Sequence, residues 1–391
     1  MSLFTTPSKI IVTCPKRLAP YIEKEIIELG MNPVRTFMTG VELKGTINDC
    51  IRLNLNLRCA SQVLYSLKTF IANQPDDLYK ELVRYPWENL LDVDGYFSVT
   101  STVDHFTVNN NMFVSLRVKD AIADHMINDT GRRPDSGPNG DKAVFHLFWK
   151  DENAEVFLDT SGETLTKHGY RKIPGKAPML ESLAAATIMA TKWDRKSPFV
   201  NPMCGSGTIA IEAILAATNR RPGLYRNNYS FMHILGYDKK VYDQESKKLE
   251  DQVLDVPGLK AVASDINEDA VNISRANAAQ AGVEDYIEFQ HGDFAETHLP
   301  DHPGVIYFNP EYGVRLGNEA ELEATYARIG DFMKNQCQGY LGYVFTGGLD
   351  LAKKIRLKPS RRIEFYTARI DCRLLEYELY GGTRRVDKQT S

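Results

Sequence analysis

What the chain has little of narrows the field first. Its six cysteines in 391 residues (Cys14, Cys50, Cys59, Cys204, Cys337 and Cys372) are scattered, with no C-x-x-C pair. Neither a disulfide framework nor a structural zinc site is indicated, and reduced thiols are expected. No apolar run approaches the roughly 20 residues of a membrane span. The start "MSLFTTPSKIIVTCPKRL" also lacks the charged-then-apolar pattern of a secretory signal. We expect a cytoplasmic protein with no membrane association. There is no excess of positive charge either: 47 Lys and Arg against 51 Asp and Glu give a formal net charge of -4. That excludes a uniformly basic coat but not a local nucleic-acid patch. Fixed-period repeats and low-complexity segments are absent. What is present is 43% hydrophobic content over a length that divides into two or three domains.

Residues 1–165 mix two periodicities. "LAPYIEKEIIELG" predicts an amphipathic helix closed by Gly30, and "VSLRVKDAIADHMINDTGRRPD" a second ending near Gly131. "TGVELKG" and "YFSVTSTV" predict strands, and "KAVFHLFW" with "NAEVFLDTSG" a hairpin around Lys150 to Asn153. This is α+β material. From 166 to 380 strands alternate with helices, the pattern of a mostly parallel, doubly wound α/β sheet. There "APMLESLAAATIMATKW" predicts a helix, followed by strand "PFVNPM", turn "CGSG" and helix "TIAIEAILAAT". An irregular insert follows, and "RRIEFYTARIDCRLLEYELY" closes the sheet as an antiparallel hairpin. Residues 381–391 read as a polar tail.

The turn between "PFVNPM" and "TIAIEA" sets Gly205 and Gly207 where bare backbone can approach a ligand and helix N–H groups can face it. Gly205, Gly207 and Ala210 satisfy G-x-G-x-x-A, but a dinucleotide fold wants an acidic residue roughly 20 positions on, and "NRRPGLYRNNYSFMHILG" offers none. The first acidic residue ending a following strand is Asp265 in "VASDIN", well suited to a ribose; Asp293 in "HGDF" can accept from an adenine amino group. Each carboxylate alone reads equally as a surface loop. "IYFNPEYG" then places Asn309, Pro310 and Tyr312 at the end of an apolar strand, a tight turn or a fourth ligand-facing strand end. Together, the four strand ends outline a nucleoside cofactor.

"KHGYRKIPGKAPMLESLAAATIMATKW", "NPMCGSGTIAIEA", "ASDIN", "HGDF" and "NPEYG", in that order, resemble the S-adenosylmethionine-dependent RNA methyltransferases that carry a THUMP domain, and among them the guanine-N2 methyltransferases of bacterial large-subunit ribosomal RNA. The resemblance extends upstream through "TCPKRLAPYIEKEIIELG" and "GVELKGTINDCIRLNLNLRCASQVL", and implies a Rossmann-like methyltransferase domain preceded by an RNA-binding region with a THUMP domain at about 45–160. It implies S-adenosylmethionine held by Asn201, by Met203, Cys204, Gly205, Ser206, Gly207 and Thr208 around the methionine part, by Asp265 with Ile266 at the ribose, by Asp293 with Phe294 at the adenine, and by Asn309. The partner implied is RNA, ribosomal or in a ribosome assembly intermediate, with no obligate protein partner. Transfer RNA is the alternative target, and a catalytically silent RNA binder the alternative outside catalysis.

In such an enzyme the Asn309 side-chain oxygen and the Pro310 carbonyl would accept from the two protons of an exocyclic amine, aiming its lone pair at the methyl group, while Tyr312 stacks on the base. Two positions depart from the family pattern: Glu311 replaces a second proline, and Asn201 an acidic residue. We expect Glu311 to turn outward, towards a backbone donor or an arginine such as Arg315. A nucleophilic cysteine is set aside because Cys204 lies in the cofactor turn and 306–317 holds none. His291, His298 and His302 lack metal-motif spacing, so no metal is expected. Basic clusters at Arg132–Arg133, Arg220–Arg221, Arg361–Arg362 and Lys167–His168–Arg171–Lys172 read as solvated surface or as phosphate contacts; Arg132, Arg133, Lys167, Arg171 and Lys172 are the RNA-binding candidates.

Overall fold

The computed structural model describes residues 3–106, 108, 110–175, 178–312, 319–367 and 370–381. Within these, the chain divides into two compact units. One is built from the segment up to His168 together with Arg221–Val253, the other from Gly169–Arg220 and the chain from Leu254 onward.

In the first unit the elements run β1 (Ser8–Thr13), α1 (Ala19–Glu28), β2 (Pro33–Phe37), β3 (Gly40–Gly45), α2 (Ile47–Asn56), β4 (Gln62–Ile71), α3 (Pro75–Leu82), β5 (Tyr96–Asp104), α4 (Asn111–Thr130), β6 (Asp135–Ser136), β7 (Ala143–Lys150) and β8 (Asn153–Asp159). Among the described residues its strands form an eight-stranded sheet in the order β2-β3-β1-β4-β8-β7-β5-β6. The predicted α+β mixture is there, and so is the β7–β8 hairpin. Local signals account for the helix ends. Thr46 and Asp49 cap α2 reciprocally, each side chain accepting from the other's backbone N–H. Gly131 ends α4 in the left-handed conformation at φ 75°. α4 begins earlier than its apolar periodicity indicates, because the Asn110 side chain accepts from Phe113 N–H.

The second unit opens with α5 (Glu181–Ala190), β9 (Phe199–Pro202) and α6 (Thr208–Ala217). The chain then contributes 221–253, with α7 (Lys239–Asp251), to the first unit before returning as β10 (Ala261–Asp265), α8 (Glu268–Gln280), β11 (Ile287–His291), β12 (Val305–Phe308), α9 (Glu319–Asn335), β13 (Leu341–Thr346), α10 (Leu349–Lys353), β14 (Arg361–Thr367) and β15 (Ile370–Glu378). The strand order is β11-β10-β9-β12-β13-β15-β14, with the first five parallel and the last pairings antiparallel.

β9 and β12 are buried along their whole length, which is why they read as unbroken apolar runs. Tyr326, Ile329, Phe332 and Met333 of α9 pack on Val200, Val262, Ile306, Phe308 and Val344 of four neighbouring strands. Each such side chain removed from water contributes about 1.5–3 kcal/mol. Because the order of these parallel strands reverses at β9, with β10 added on one side and β12 on the other, the loops after β9 and β12 part company there and leave a crevice at the strands' C-terminal ends.

Candidate active site

That crevice is a cavity of about 640 Å³. Its walls come from the loops after β9, β10, β11 and β12, and include Asn201, Met203, Cys204, Gly205, Ser206, Thr208, Asp265, Ile266, Asp293, Phe294, Asn309, Pro310 and Tyr312. Gly207, the remaining candidate of the glycine turn, caps α6 just behind this wall. Residues scattered over more than a hundred positions of sequence are thus brought to one place by strand ends alone.

The turn after β9 is wound by three left-handed residues in five: Met203 at φ 60°, Gly205 at 54° and Gly207 at 81°. A side chain on Gly207 would collide with the Ser274 hydroxyl, whereas one on Gly205 would meet nothing, because the cavity reaches up to its backbone. Met203 adopts this conformation despite its Cβ, at a cost of order 1–3 kcal/mol that the surrounding turn must sustain. The turn is tied to the next strand: Gly205 N–H donates to Asp265 Oδ2 at 2.9 Å and Cys204 N–H to the Ser264 carbonyl at 2.9 Å. Burial, with Asp265 nearby, pushes the Cys204 thiol up to about 12, so it is no nucleophile at neutral pH. Asn201 is buried; its amide nitrogen donates to the Tyr307 carbonyl at 2.9 Å, while its Oδ1 has no hydrogen-bond partner among the described residues.

Asp293 follows β11 and accepts from Ala295 N–H at 2.9 Å and from Arg328 Nη2 at 2.7 Å. Burial acts to raise its pKa and is outweighed by that amide and guanidinium, so the carboxyl titrates below its ordinary range. Arg328, itself on the cavity wall, lies over the Phe294 ring at 4.9 Å. On the β12 loop Pro310 is buried and Asn309 half-buried. The Tyr312 ring packs edge-on to Phe345, its centroid 6.3 Å away, and the Cys372 thiol donates to its hydroxyl at 3.8 Å. Burial and that thiol hold the phenol protonated far above its usual range. Glu311 is exposed at the cavity rim, and its carbonyl accepts from Tyr326 Oη at 3.4 Å. Arg315, named above as its possible partner, lies outside the described residues.

The basic candidates fare unequally. Arg133, Lys167 and Lys172 are exposed, and Arg132 is exposed but paired with Asp94. Arg171 is a correction: its side chain is only 9% exposed and its guanidinium is taken up by Met179, Thr208 and Glu181, so it does not present a free cation at the surface. His168, expected in the same cluster, is fully buried, and its Nε2 bonds the Arg58 carbonyl at 2.8 Å. Nothing in "KHGYRK" distinguishes an inward from an outward arginine. Three further residues escaped the sequence reading. Arg328 stands on a helix face in an otherwise ordinary amphipathic pattern; Asn277 and Glu181 are polar residues buried in helices, where only their distant partners reveal their use.

Three family models match: "RMKL-like, methyltransferase domain" over 168–376, the "RlmL ferredoxin-like domain" over 9–64, and the "THUMP domain" over 72–159. The first spans more than half of the chain. The chain belongs to the RMKL-like methyltransferase family. Its fold is accordingly that of a class I S-adenosylmethionine-dependent methyltransferase preceded by a THUMP domain. The THUMP match starts at 72, and the ferredoxin-like match precedes it at 9–64. A Synechocystis RNA-methyltransferase candidate is 30% identical, with 96% of this chain and 98% of that protein covered. "Ribosomal RNA large subunit methyltransferase K/L" of Allochromatium vinosum is 32% identical over 94% of this chain but 51% of its own length, and that of Syntrophotalea carbinolica 31% over 95% and 54%. The chain spans about half the length of these K/L relatives. Among solved structures, a methyltransferase candidate complexed with SAH superimposes with a TM-score of 0.85 at 26% identity, covering 96% of this chain and 99% of that one. A possible methylase from Clostridium difficile 630 gives 0.86 at 27%, covering 97% and 100%.

Proposed function

We propose that this protein transfers a methyl group from S-adenosylmethionine to the exocyclic N2 amine of a guanine in large-subunit (23S) ribosomal RNA. The observation that carries the reading is the meeting, in one cavity, of the glycine turn after β9 with the Asn309–Pro310–Glu311–Tyr312 loop after β12. The residues fit the cofactor. The unpartnered, buried Oδ1 of Asn201 on the cavity wall is an acceptor in want of a donor, which the cofactor ammonium is. Gly205 leaves its backbone open to a ligand, and a volume of about 640 Å³ suits a nucleoside. Asp265 is the ribose acceptor in this reading. Asp293, kept ionised by Arg328 and the Ala295 amide, is the acceptor for the adenine amine.

Bound S-adenosylmethionine supplies an electrophilic methyl group on a sulfonium. The protein's part is orientation. An amine conjugated with a ring is a weak nucleophile, and acceptors at the Asn309 side-chain oxygen and the Pro310 carbonyl direct its lone pair out of conjugation. Tyr312, its ring braced by Phe345, forms the wall against which the base lies. Burial keeps its phenol protonated, so it is no general base. A paired base cannot enter such a cavity, so the target guanine is looped or flipped out. The N-terminal unit with its THUMP domain is the RNA-holding part.

The test is mass mapping of modified nucleosides in ribosomal and transfer RNA from a deletion strain, coupled to incorporation of labelled methyl into that RNA by the purified protein. One N2-methylguanosine should be missing from 23S RNA and restored in vitro. Its loss from transfer RNA would move the target, and no loss with no incorporation would leave a silent RNA binder.

A further inference from the structure

We infer that Arg171 is a positioning residue for the cofactor end of the cavity, fixing the Pro178–Met179 wall to the N-terminus of α6. The inference rests on the methyltransferase reading above. The Arg171 guanidinium donates to the Met179 carbonyl at 2.7 Å, to Thr208 Oγ1 at 3.1 Å and to Glu181 Oε2 at 2.8 Å. Pro178 and Met179 line one side of the cavity, Ser206 and Thr208 another. One planar fork therefore spans two walls, a task lysine's point charge does less well.

The placement is not explained by stability. Glu181 opens α5 and Thr208 opens α6, so the cation sits beside two positive helix ends. A buried ion pair, here 9% and 2% exposed, is weak evidence of net stabilisation. What it supplies is fixed geometry. A second tie reaches the same turn. Buried Asn277 donates to the carbonyls of Ile173 at 3.1 Å and Ser206 at 3.2 Å, and accepts from Ile173 N–H at 3.3 Å. Gly175 lies so close that a Cβ there would be 3.2 Å from Ser206 Cβ. Ile173, through Asn277, and Gly175 are thus held against the glycine turn, and Arg171 is the residue that reaches across to the wall.

The proposal predicts a defect in cofactor affinity, not in RNA capture. Arg171→Met takes the guanidinium away from the buried Glu181 carboxyl, so its loss of stability is uninformative alone; Arg171→Met with Glu181→Gln removes both charges. In the double variant the unfolding temperature should return towards wild type while affinity for S-adenosylhomocysteine, read by calorimetry, stays about 10- to 100-fold weaker. KM for S-adenosylmethionine should rise by more than turnover falls, and RNA affinity with its salt dependence should be unchanged. A folded double variant that binds S-adenosylhomocysteine as tightly as wild type overturns the inference, as does a weakened, flatter salt dependence of RNA binding with cofactor affinity intact. If neither variant folds, Arg171→Lys decides alone: weaker binding supports the inference and wild-type binding refutes it. Absence of S-adenosylhomocysteine binding by the wild type would instead remove the methyltransferase reading, and this inference with it.

Discussion

Glu311 stands between Pro310 and Tyr312, exposed at the rim of the cavity that all three line. The mechanism needs the Asn309 oxygen and the Pro310 carbonyl, so Asn309→Ala should lower turnover roughly 100- to 1000-fold, the effect of losing one preorganised transition-state hydrogen bond. Glu311→Pro should change it far less. Labelled methyl transfer to RNA from a deletion strain measures both, and an inactive wild type rescued by Glu311→Pro would mean that the loop is a remnant. Asp265→Ala should weaken S-adenosylmethionine by about 1.5–3 kcal/mol. The structure adds a reason for the upper end: the same carboxylate accepts from Gly205 N–H, so its removal also loosens the glycine turn. Calorimetry is the check, and tight NADH binding with none of S-adenosylmethionine would reject the assignment. These residues were legible because a polar side chain just past an apolar strand has a predictable address. Met203 was legible only as a member of the turn, since no local signal foretells a methionine at φ 60°. Arg171 was misread because charge in sequence does not tell where a long side chain ends.

At the level of elements, the strands of the second unit and their order of appearance followed from apolar runs and turn residues, whereas β1, β2, β4 and β6 of the first unit were not predicted, and boundaries yielded to specific contacts. The helix predicted from "APMLESLAAATIMATKW" starts only at Glu181, because Leu180 stays extended at ψ 140°. Of the residues so excluded, Pro178 and Met179 line the cavity. The turn after β8 carries a different kind of element-scale control. Asp159, fully buried, accepts from Gln62 Nε2 at 2.6 Å and from Ser161 N–H at 3.0 Å. Burial nevertheless outweighs these bonds and pushes its carboxyl up to about 7 from 3.8. Its folded form therefore binds the proton more readily than the unfolded chain. The stability this contributes is complete below the ordinary carboxylate value and is lost as pH rises through about 7. The unfolding temperature of the wild type relative to Asp159→Asn should accordingly fall between about pH 4 and pH 7, by calorimetric scan. A difference that stays flat over that window would show the carboxyl to be ionised throughout.

Over the whole molecule, a net charge of -4 leaves RNA capture to local groups. Neutralising exposed Arg133 or Lys172 should reduce the slope of log affinity against log salt by about 1 each if they meet phosphates. Arg132, already paired with Asp94, should matter less. Filter binding across a salt series reads all three, and an unchanged slope would place the phosphate contacts elsewhere. The feature least visible beforehand was the assignment of 221–253: an irregular insert in an α/β pattern announces a loop, and only its partners show that it completes the other unit. Segments emerge from the ribosome in order, and domains generally fold as they become complete. Here 169–220, which belongs to the second unit, is synthesised before the first unit has received its last piece. The glycine turn, with α5, β9 and α6, is therefore synthesised before the rest of its own unit and before the last segment of the first. Nor can one peptide-bond cleavage part the two units, since the backbone passes between them three times.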